Sequence, residues 1–170
     1  MSREEIINDA YRAFSIFSRP EHFTNFAHCE ECAEHDETMR SHSLSDIGSN
    51  QVGNPGWSPI PFLTEQAYGY VMPRLLELAL NNSINNDNDP FVFQYLLALT
   101  PLPEHRKLDY FTPEQSTVIL NSLYYIRNNM ASVIENECCE SNLAEAITLW
   151  QTIAPNKALQ ATPKSGAPEL

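Results

Sequence analysis

The sequence is poor in glycine and in basic residues, and both shortages narrow what the protein can do. Only five of its 170 residues are glycine, which leaves little material for the glycine-rich loops that bind phosphate groups. It has 10 Lys or Arg against 22 Asp or Glu, a net charge of −12. Nucleic-acid binding depends on cationic side chains that displace condensed counterions, so we expect no nucleic-acid partner. The same charge weighs against an anionic membrane surface.

Long apolar runs are missing as well. No stretch approaches the roughly 18 consecutive apolar residues of a membrane span. Residues 1–7 are too charged for a secretory signal. Two of the four cysteines, Cys138 and Cys139, are adjacent, which does not suit a secreted disulfide framework. We therefore predict a cytoplasmic protein with reduced thiols and no membrane partner.

Familiar catalytic motifs are absent too. The sequence contains no Gly-x-Ser-x-Gly, no phosphate-binding loop and no His-Glu-x-x-His. These absences weigh against an enzyme and leave the question open. The sequence predicts no catalytic residue. Its oligomeric state is likewise left open.

Helical signals, in contrast, run through most of the chain. Ser2 and Glu5 match a capping box, and so do Thr112 and Gln115 around Pro113. Apolar residues after each cap recur at helical intervals. The sequence predicts an all-α, single-domain, irregular array of about five or six helices over residues 2–154. It also predicts a long loop near residues 41–61 and a disordered C-terminal tail at 155–170.

Prolines set several of the expected helix ends. Pro20 is expected to end the first helix or open the next turn, and Pro155 to stop the last helix. Pro73 lies inside a helical pattern, where the missing backbone donor predicts a kink or two short helices.

The apolar run at residues 91–99 is expected to be the most buried element. Asp89 followed by Pro90 predicts its start, with Asp89 as the cap and Pro90 in the first helical position. Because the run is brief, a short buried strand is the alternative to a helix.

Acidic residues concentrate in one part of the chain. Residues 21–46 hold seven acids and one base, Arg40, a local balance of −6 that is half the charge of the whole protein. With no catalytic motif in view, the leading hypothesis is a small acidic interaction module that presents a helical face to a basic protein partner.

Residues 28–35 hold the densest group of metal-ligating side chains. In a helix His28, Cys32 and His35 would share one face, and Cys29 would neighbour Cys32. Thiolate and imidazole are ligands that zinc prefers. The alternative function is therefore a zinc-binding helical protein with hydrolytic or redox activity. A fourth ligand would come from one of three other residues: His22, His42 or Cys138.

Two other interpretations of this segment stay open. The favoured one is a plain helix with two half-buried thiols and solvent-facing acids and histidines, because free cysteine usually behaves as a small hydrophobe. The other is a redox pair, although Cys-x-x-Cys in that role normally follows a strand in a βαβ unit, which the sequence does not predict. Acidic neighbours are expected to raise the thiol pKa and reduce nucleophilicity.

The end of the sequence resembles the tails that arise when integron gene cassettes are translated into their own recombination site. This resemblance covers about a dozen residues, 156–167, and implies a mobile accessory gene of bacterial origin. The body, roughly residues 4–135, resembles an uncharacterised bacterial domain family of unknown function. The residues that carry this second resemblance are 13–14, 29–32, 70–73 and 111–115. Neither resemblance implies a functional residue.

Overall fold

Helices supply nearly all the regular structure of this protein. Its computed structural model describes residues 1–54, 56–100 and 110–160, the last six by backbone alone. In these ranges the helices are α1 (Arg3–Ala13), α2 (Glu30–Arg40), α3 (Ser49–Val52), α4 (Glu65–Leu80), α5 (Phe91–Leu99), α6 (Pro113–Asn129), α7 (Ala131–Asn136) and α8 (Glu140–Gln160). A 3-10 turn at Ile60–Phe62 precedes α4. The predicted all-α class is confirmed, and among the described residues no helix is long and apolar enough to cross a bilayer.

Five helices enclose the core. α6 packs against α1 and α8, α4 packs against α1 and α5, and α5 packs against α8. The largest fully buried side chains come from several of these elements and from the segments between them: Trp150, Tyr95, Phe14, Phe23, Phe91 and Phe111. α5 is a helix and not a strand, and seven of its nine residues are buried, as its apolar composition predicts.

Two capping boxes start helices where the sequence predicts them. The Ser2 backbone N–H donates to the Glu5 carboxylate at 2.7 Å at the start of α1. At the start of α6, Thr112 and Gln115 exchange the matching pair of bonds at 2.8 and 3.2 Å. The fully buried Gln115 also donates to the Ala13 carbonyl at 2.9 Å, so this cap joins α6 to the end of α1.

Some predicted ends are wrong by a few residues. α1 ends at Ala13, well before Pro20, because Phe14 leaves the helix and turns its ring into the core. α5 has Pro90 as its N-cap, and Asp89 does not cap it. The Asp89 backbone N–H donates to the Asn85 side chain instead, within the polar turn before the helix.

Two prolines lie inside helices. α4 continues as one helix through Pro73, so the predicted split into two helices is wrong. α8 continues through Pro155 to Gln160, which makes the predicted stop wrong and places the first residues of the predicted tail in a helix. A proline removes one helical hydrogen bond, and in both cases the turns on either side continue the helix. Residues 161–170 lie outside the described part of the chain.

The predicted loop at residues 41–61 is packed against the protein. It contains α3 and most of the 3-10 turn, and Ile47, Val52 and Ile60 are buried. Arg74 of α4 donates to the Ile47 carbonyl at 2.7 Å, which ties the segment to the core. α3 and α7 have four and six residues, too few to show a helical period in the sequence.

Candidate metal centre at the start of α2

The Cys-x-x-Cys segment lies at the first turn of α2. Cys29 has an extended backbone and is the N-cap, and its Sγ accepts the backbone N–H of Cys32 at 3.4 Å. A thiol thus takes the place that a Ser, Thr, Asp or Asn side chain usually fills at a helix start. His28 precedes the helix, so the predicted shared helical face of His28, Cys32 and His35 is wrong.

Three donor atoms nevertheless converge here. His28 Nδ1 lies 3.7 Å from Cys32 Sγ, and the ligand atoms of His28, Cys29 and Cys32 all lie within 4.8 Å of one another. Tetrahedral zinc, with bonds of about 2.3 Å to sulfur and 2.0 Å to nitrogen, holds such atoms roughly 3.6–3.8 Å apart. Cys32 is buried, whereas His28 and Cys29 are exposed. The group is therefore a surface cluster with donor spacing close to that of a zinc site.

His35 is not part of this cluster. Only 2% of its surface is exposed, and its ring packs against Trp57 and Phe62 at centroid distances of 4.9 and 5.3 Å. Among the described residues its Nε2 makes no hydrogen bond, and the Glu31 carboxylate lies 3.6 Å away. The structure thus places the His35 side chain in an aromatic pocket on the buried side of α2.

The predicted sources of a fourth ligand also lie outside the cluster. His22 Nδ1 pairs with the Asp36 carboxylate at 2.7 Å, and its ring stacks on Phe26. His42 Nδ1 lies 2.8 Å from the Thr38 carbonyl. Cys138 is exposed between α7 and α8. The cluster therefore offers three protein ligands and leaves the fourth position to solvent or to another molecule.

The two thiols differ in their pKa. The backbone N–H of Cys32 lowers the pKa of Cys29, with smaller contributions from the Cys32 and His28 side chains. The hydrogen bond to Cys29 raises the pKa of Cys32, followed by burial and the charges of Cys29 and Glu31. The predicted rise in thiol pKa is therefore found at Cys32, where the acidic neighbour Glu31 is the last of its causes.

A buried carboxylate behind the cluster, which was not among the residues predicted from the sequence, fixes α2 in place. Asp36 is 3% exposed and accepts the backbone N–H groups of Phe23 and Thr24 at 2.6 and 3.2 Å. The Thr24 hydroxyl in turn donates to the Cys32 carbonyl at 2.6 Å. Helical spacing could have predicted its burial. Asp36 lies four residues after Cys32 and three before Met39, and both of these residues are on the buried face of α2.

The remaining acids of residues 21–46 face solvent at least in part. Glu30, Glu34 and Glu37 are exposed on α2, and Glu31 is half-buried. Two half-exposed aromatic rings border this surface, because Phe26 stacks on His22 and Trp57 contacts His35. The start of α2 therefore combines a thiol cluster, a negative face and two accessible rings.

Comparison of the chain with protein-family models, with curated proteins and with solved structures finds no match. The resemblances to an uncharacterised bacterial family and to integron cassette tails thus stay predictions.

Proposed function

We propose that this protein binds zinc through His28, Cys29 and Cys32. The observation that carries the proposal is the convergence of three donor atoms within 4.8 Å at the start of α2. Two thiolates and one imidazole form a donor set that zinc accepts readily. The nearest histidine-to-sulfur distance, 3.7 Å, already approaches the spacing around a tetrahedral ion. Binding then requires a small movement of the exposed Cys29 and His28 side chains.

The proposed centre takes three ligands from the protein and a fourth from outside. Three-ligand zinc sites with a solvent position are the arrangement that lets the metal meet another molecule. We propose binding without hydrolysis, because the site lies on an exposed helix start. Two cavities, of about 150 and 270 Å³, are lined by the N-terminus with α6 and by α6 to α8, and neither includes a residue of the cluster.

The metal is not expected to be required for folding. Most of the core comes from α1, α4, α5, α6 and α8, none of which contributes a ligand. A chain of 170 residues buries enough surface to fold without a metal. Removal of zinc should therefore leave the helical content unchanged and loosen only the segment around residues 26–32.

Cobalt substitution tests the proposal directly. Titration of chelator-treated protein with Co²⁺ should produce the intense visible absorption of tetrahedral cobalt with thiolate ligands, saturating at about one equivalent. Cys29→Ser, which changes an exposed thiol, should abolish the thiolate-to-cobalt band while the circular dichroism spectrum stays the same. His28→Gln should weaken binding with the fold retained.

Cys138→Ser supplies the matched control, since Cys138 is an exposed thiol outside the cluster. It should bind cobalt like the wild type. Loss of the band in Cys138→Ser, or its persistence in Cys29→Ser, would show that the metal binds elsewhere.

A second candidate function is the acidic interaction module. It is favoured by the two half-exposed rings, Phe26 and Trp57, that border the exposed acids of α2. Aromatic residues are enriched in protein interfaces, and the local negative charge fits a basic partner. A lysine-rich peptide with a fluorescent label provides a defined probe.

Binding of that peptide should be measurable at low salt by fluorescence anisotropy and should weaken as salt rises. Glu34→Gln combined with Glu37→Gln should reduce the affinity, and Trp57→Ala should reduce it further. Glu145→Gln, an exposed change on α8, serves as the control. Equal affinity for all these variants would contradict an interaction face on α2.

A further inference from the structure

The geometry points to a second chemistry of the same two thiols: thiol–disulfide exchange with small cationic disulfides, in which the exposed Cys29 thiol attacks the substrate disulfide first and Cys32 then closes an internal disulfide. This inference does not depend on the zinc centre, because it concerns the metal-free protein. It stands on the spacing, the unequal exposure and the electrostatic surroundings of the pair.

The spacing permits an internal disulfide. Cys29 is the N-cap of α2 and Cys32 is the third residue of its first turn, with the two Sγ atoms within 4.8 Å. A disulfide needs about 3.5–4.5 Å between Cβ atoms. Cys29 has an extended backbone outside the helix proper, so a small backbone shift there, together with rotation of its side chain, brings the sulfurs together.

The unequal exposure assigns the order of reaction. Cys29 is exposed, whereas Cys32 is 4% exposed and its backbone is held by the Thr24 hydroxyl. An incoming disulfide therefore reaches Cys29 and not Cys32. Once a mixed disulfide has formed on Cys29, Cys32 is the nearest second thiol, and the intramolecular step is favoured by its high effective concentration.

The two steps balance. In the first, the Cys29 sulfur forms a bond to one sulfur of the substrate, the substrate S–S bond breaks, and the first substrate thiol leaves with the Cys29 proton. In the second, the Cys32 sulfur attacks the Cys29 sulfur, and the second substrate thiol leaves with the Cys32 proton. The dithiol is oxidised by two electrons to a Cys29–Cys32 disulfide, and the substrate disulfide is reduced to two thiols.

The surroundings select the charge of the substrate. A helix start carries roughly half a positive charge. Glu30 and Glu34 are exposed next to the pair, and the whole stretch of residues 21–46 has a net charge of −6. The carboxylates outweigh the helix start at the distances over which a small ion approaches, so a disulfide with ammonium groups is attracted and one with carboxylates is repelled.

The test follows metal-free, full-length protein with cystamine, a cationic disulfide, and with oxidised glutathione, an anionic one. Samples quenched with iodoacetamide are mapped by peptide mass spectrometry. A mixed disulfide should appear on Cys29 first and give way to the Cys29–Cys32 disulfide. At low salt cystamine should react about 10-fold faster or more, and the difference should shrink as salt screens the carboxylates.

Variants separate the two steps. In Cys32→Ser the mixed disulfide on Cys29 should accumulate and persist, and in Cys29→Ser residue 32 should stay unmodified. If Cys32→Ser fails to fold, the wild-type time course and the exposed Cys29→Ser variant still decide the matter. Cys138→Ser should behave as the wild type does.

Three results would overturn the inference: first modification at Cys32, a wild-type mixed disulfide that never resolves, or faster reaction with the anionic disulfide. None depends on metal binding. Protein that fails the cobalt titration yet closes the Cys29–Cys32 disulfide would refute the zinc centre alone.

Discussion

The carboxylate of Asp36 accepts the backbone N–H of Phe23 at 2.6 Å, although thirteen residues separate the two in the chain. Phe23 is fully buried, so this bond anchors α2 to a residue fixed in the core. The same carboxylate pairs with His22 Nδ1 at 2.7 Å. Together with the buried Met39, this polar junction therefore holds the helix that carries the thiol cluster.

The first prediction concerns this junction. Asp36→Ala removes the oxygen that the Phe23 and Thr24 backbone N–H groups share, together with the partner of His22 Nδ1. We expect the free energy of unfolding to fall by about 2–4 kcal/mol, since breaking one side of a buried hydrogen-bonded ion leaves its partners unsatisfied. Urea denaturation measures the change. Glu37→Gln, the exposed neighbour, should stay within about 0.5 kcal/mol of the wild type.

The second prediction concerns the close approach of α4 to Phe17, in the segment that follows α1. A Cβ added at Gly69 would lie 2.6 Å from two atoms of the Phe17 ring. Gly69→Ala should therefore destabilise the protein by about 1–3 kcal/mol, even though alanine is about 1 kcal/mol better than glycine in a helix interior.

The Phe17 ring provides the internal control for that change. In a Phe17→Ala background the clashing ring atoms are gone, and Gly69→Ala should become neutral or stabilising. A double-mutant cycle by thermal denaturation measures this coupling. Additive effects of the two changes would show that the Phe17 ring does not clash with a side chain at position 69.

The third prediction tests the cap that joins two helices. The Gln115 side chain accepts from the Thr112 backbone and donates to the Ala13 carbonyl, and it is fully buried. Gln115→Ala should cost about 2–3 kcal/mol because both backbone groups lose a partner. Thr117→Ala, on the exposed side of the same helix, should change the melting temperature little. Similar losses for both variants would contradict a special role for Gln115.

The fourth prediction follows from the lowered pKa of Cys29 in metal-free protein. The Cys32 backbone N–H favours the thiolate, so the rate of Cys29 alkylation by iodoacetamide should reach its plateau at a lower pH than in urea-unfolded protein. By linkage, ionisation of Cys29 favours the folded state as the pH rises, and that contribution is lost as the pH falls through the lowered pKa. Equal pH profiles for folded and unfolded protein would show that the Cys32 backbone N–H does not stabilise the Cys29 thiolate.

The sequence predicts the helices of this protein better than their ends. Capping boxes at Ser2 and Thr112 act through local backbone geometry, so they can be read from neighbouring residues. The proline signal is wrong at Pro155, where the helix continues, and at Pro73 the predicted split into two helices is wrong. α1 ends early because the Phe14 ring packs against Phe111, an aromatic residue from a distant part of the chain. Only tertiary contacts specify that end.

The sequence could predict which segment holds the candidate site, but it could not predict how the side chains of that segment are arranged. The sequence identifies the segment of residues 28–35, because thiols and imidazoles are dense there. It cannot show that the helix starts after Cys29, which brings His28 to Cys32 and turns His35 into an aromatic pocket. That start depends on bonds between α2 and residues outside it, because Asp36 accepts from Phe23 and the Cys32 carbonyl accepts from Thr24.

The most direct test of the zinc proposal is the metal content of protein purified without an affinity tag, measured by elemental analysis beside the Cys29→Ser variant. The proposal predicts about one equivalent of zinc in the wild type and less than about 0.2 in the variant, with identical circular dichroism spectra. Folded wild-type protein that contains less than about 0.2 equivalents of zinc, and that takes up none when zinc is supplied, would contradict it.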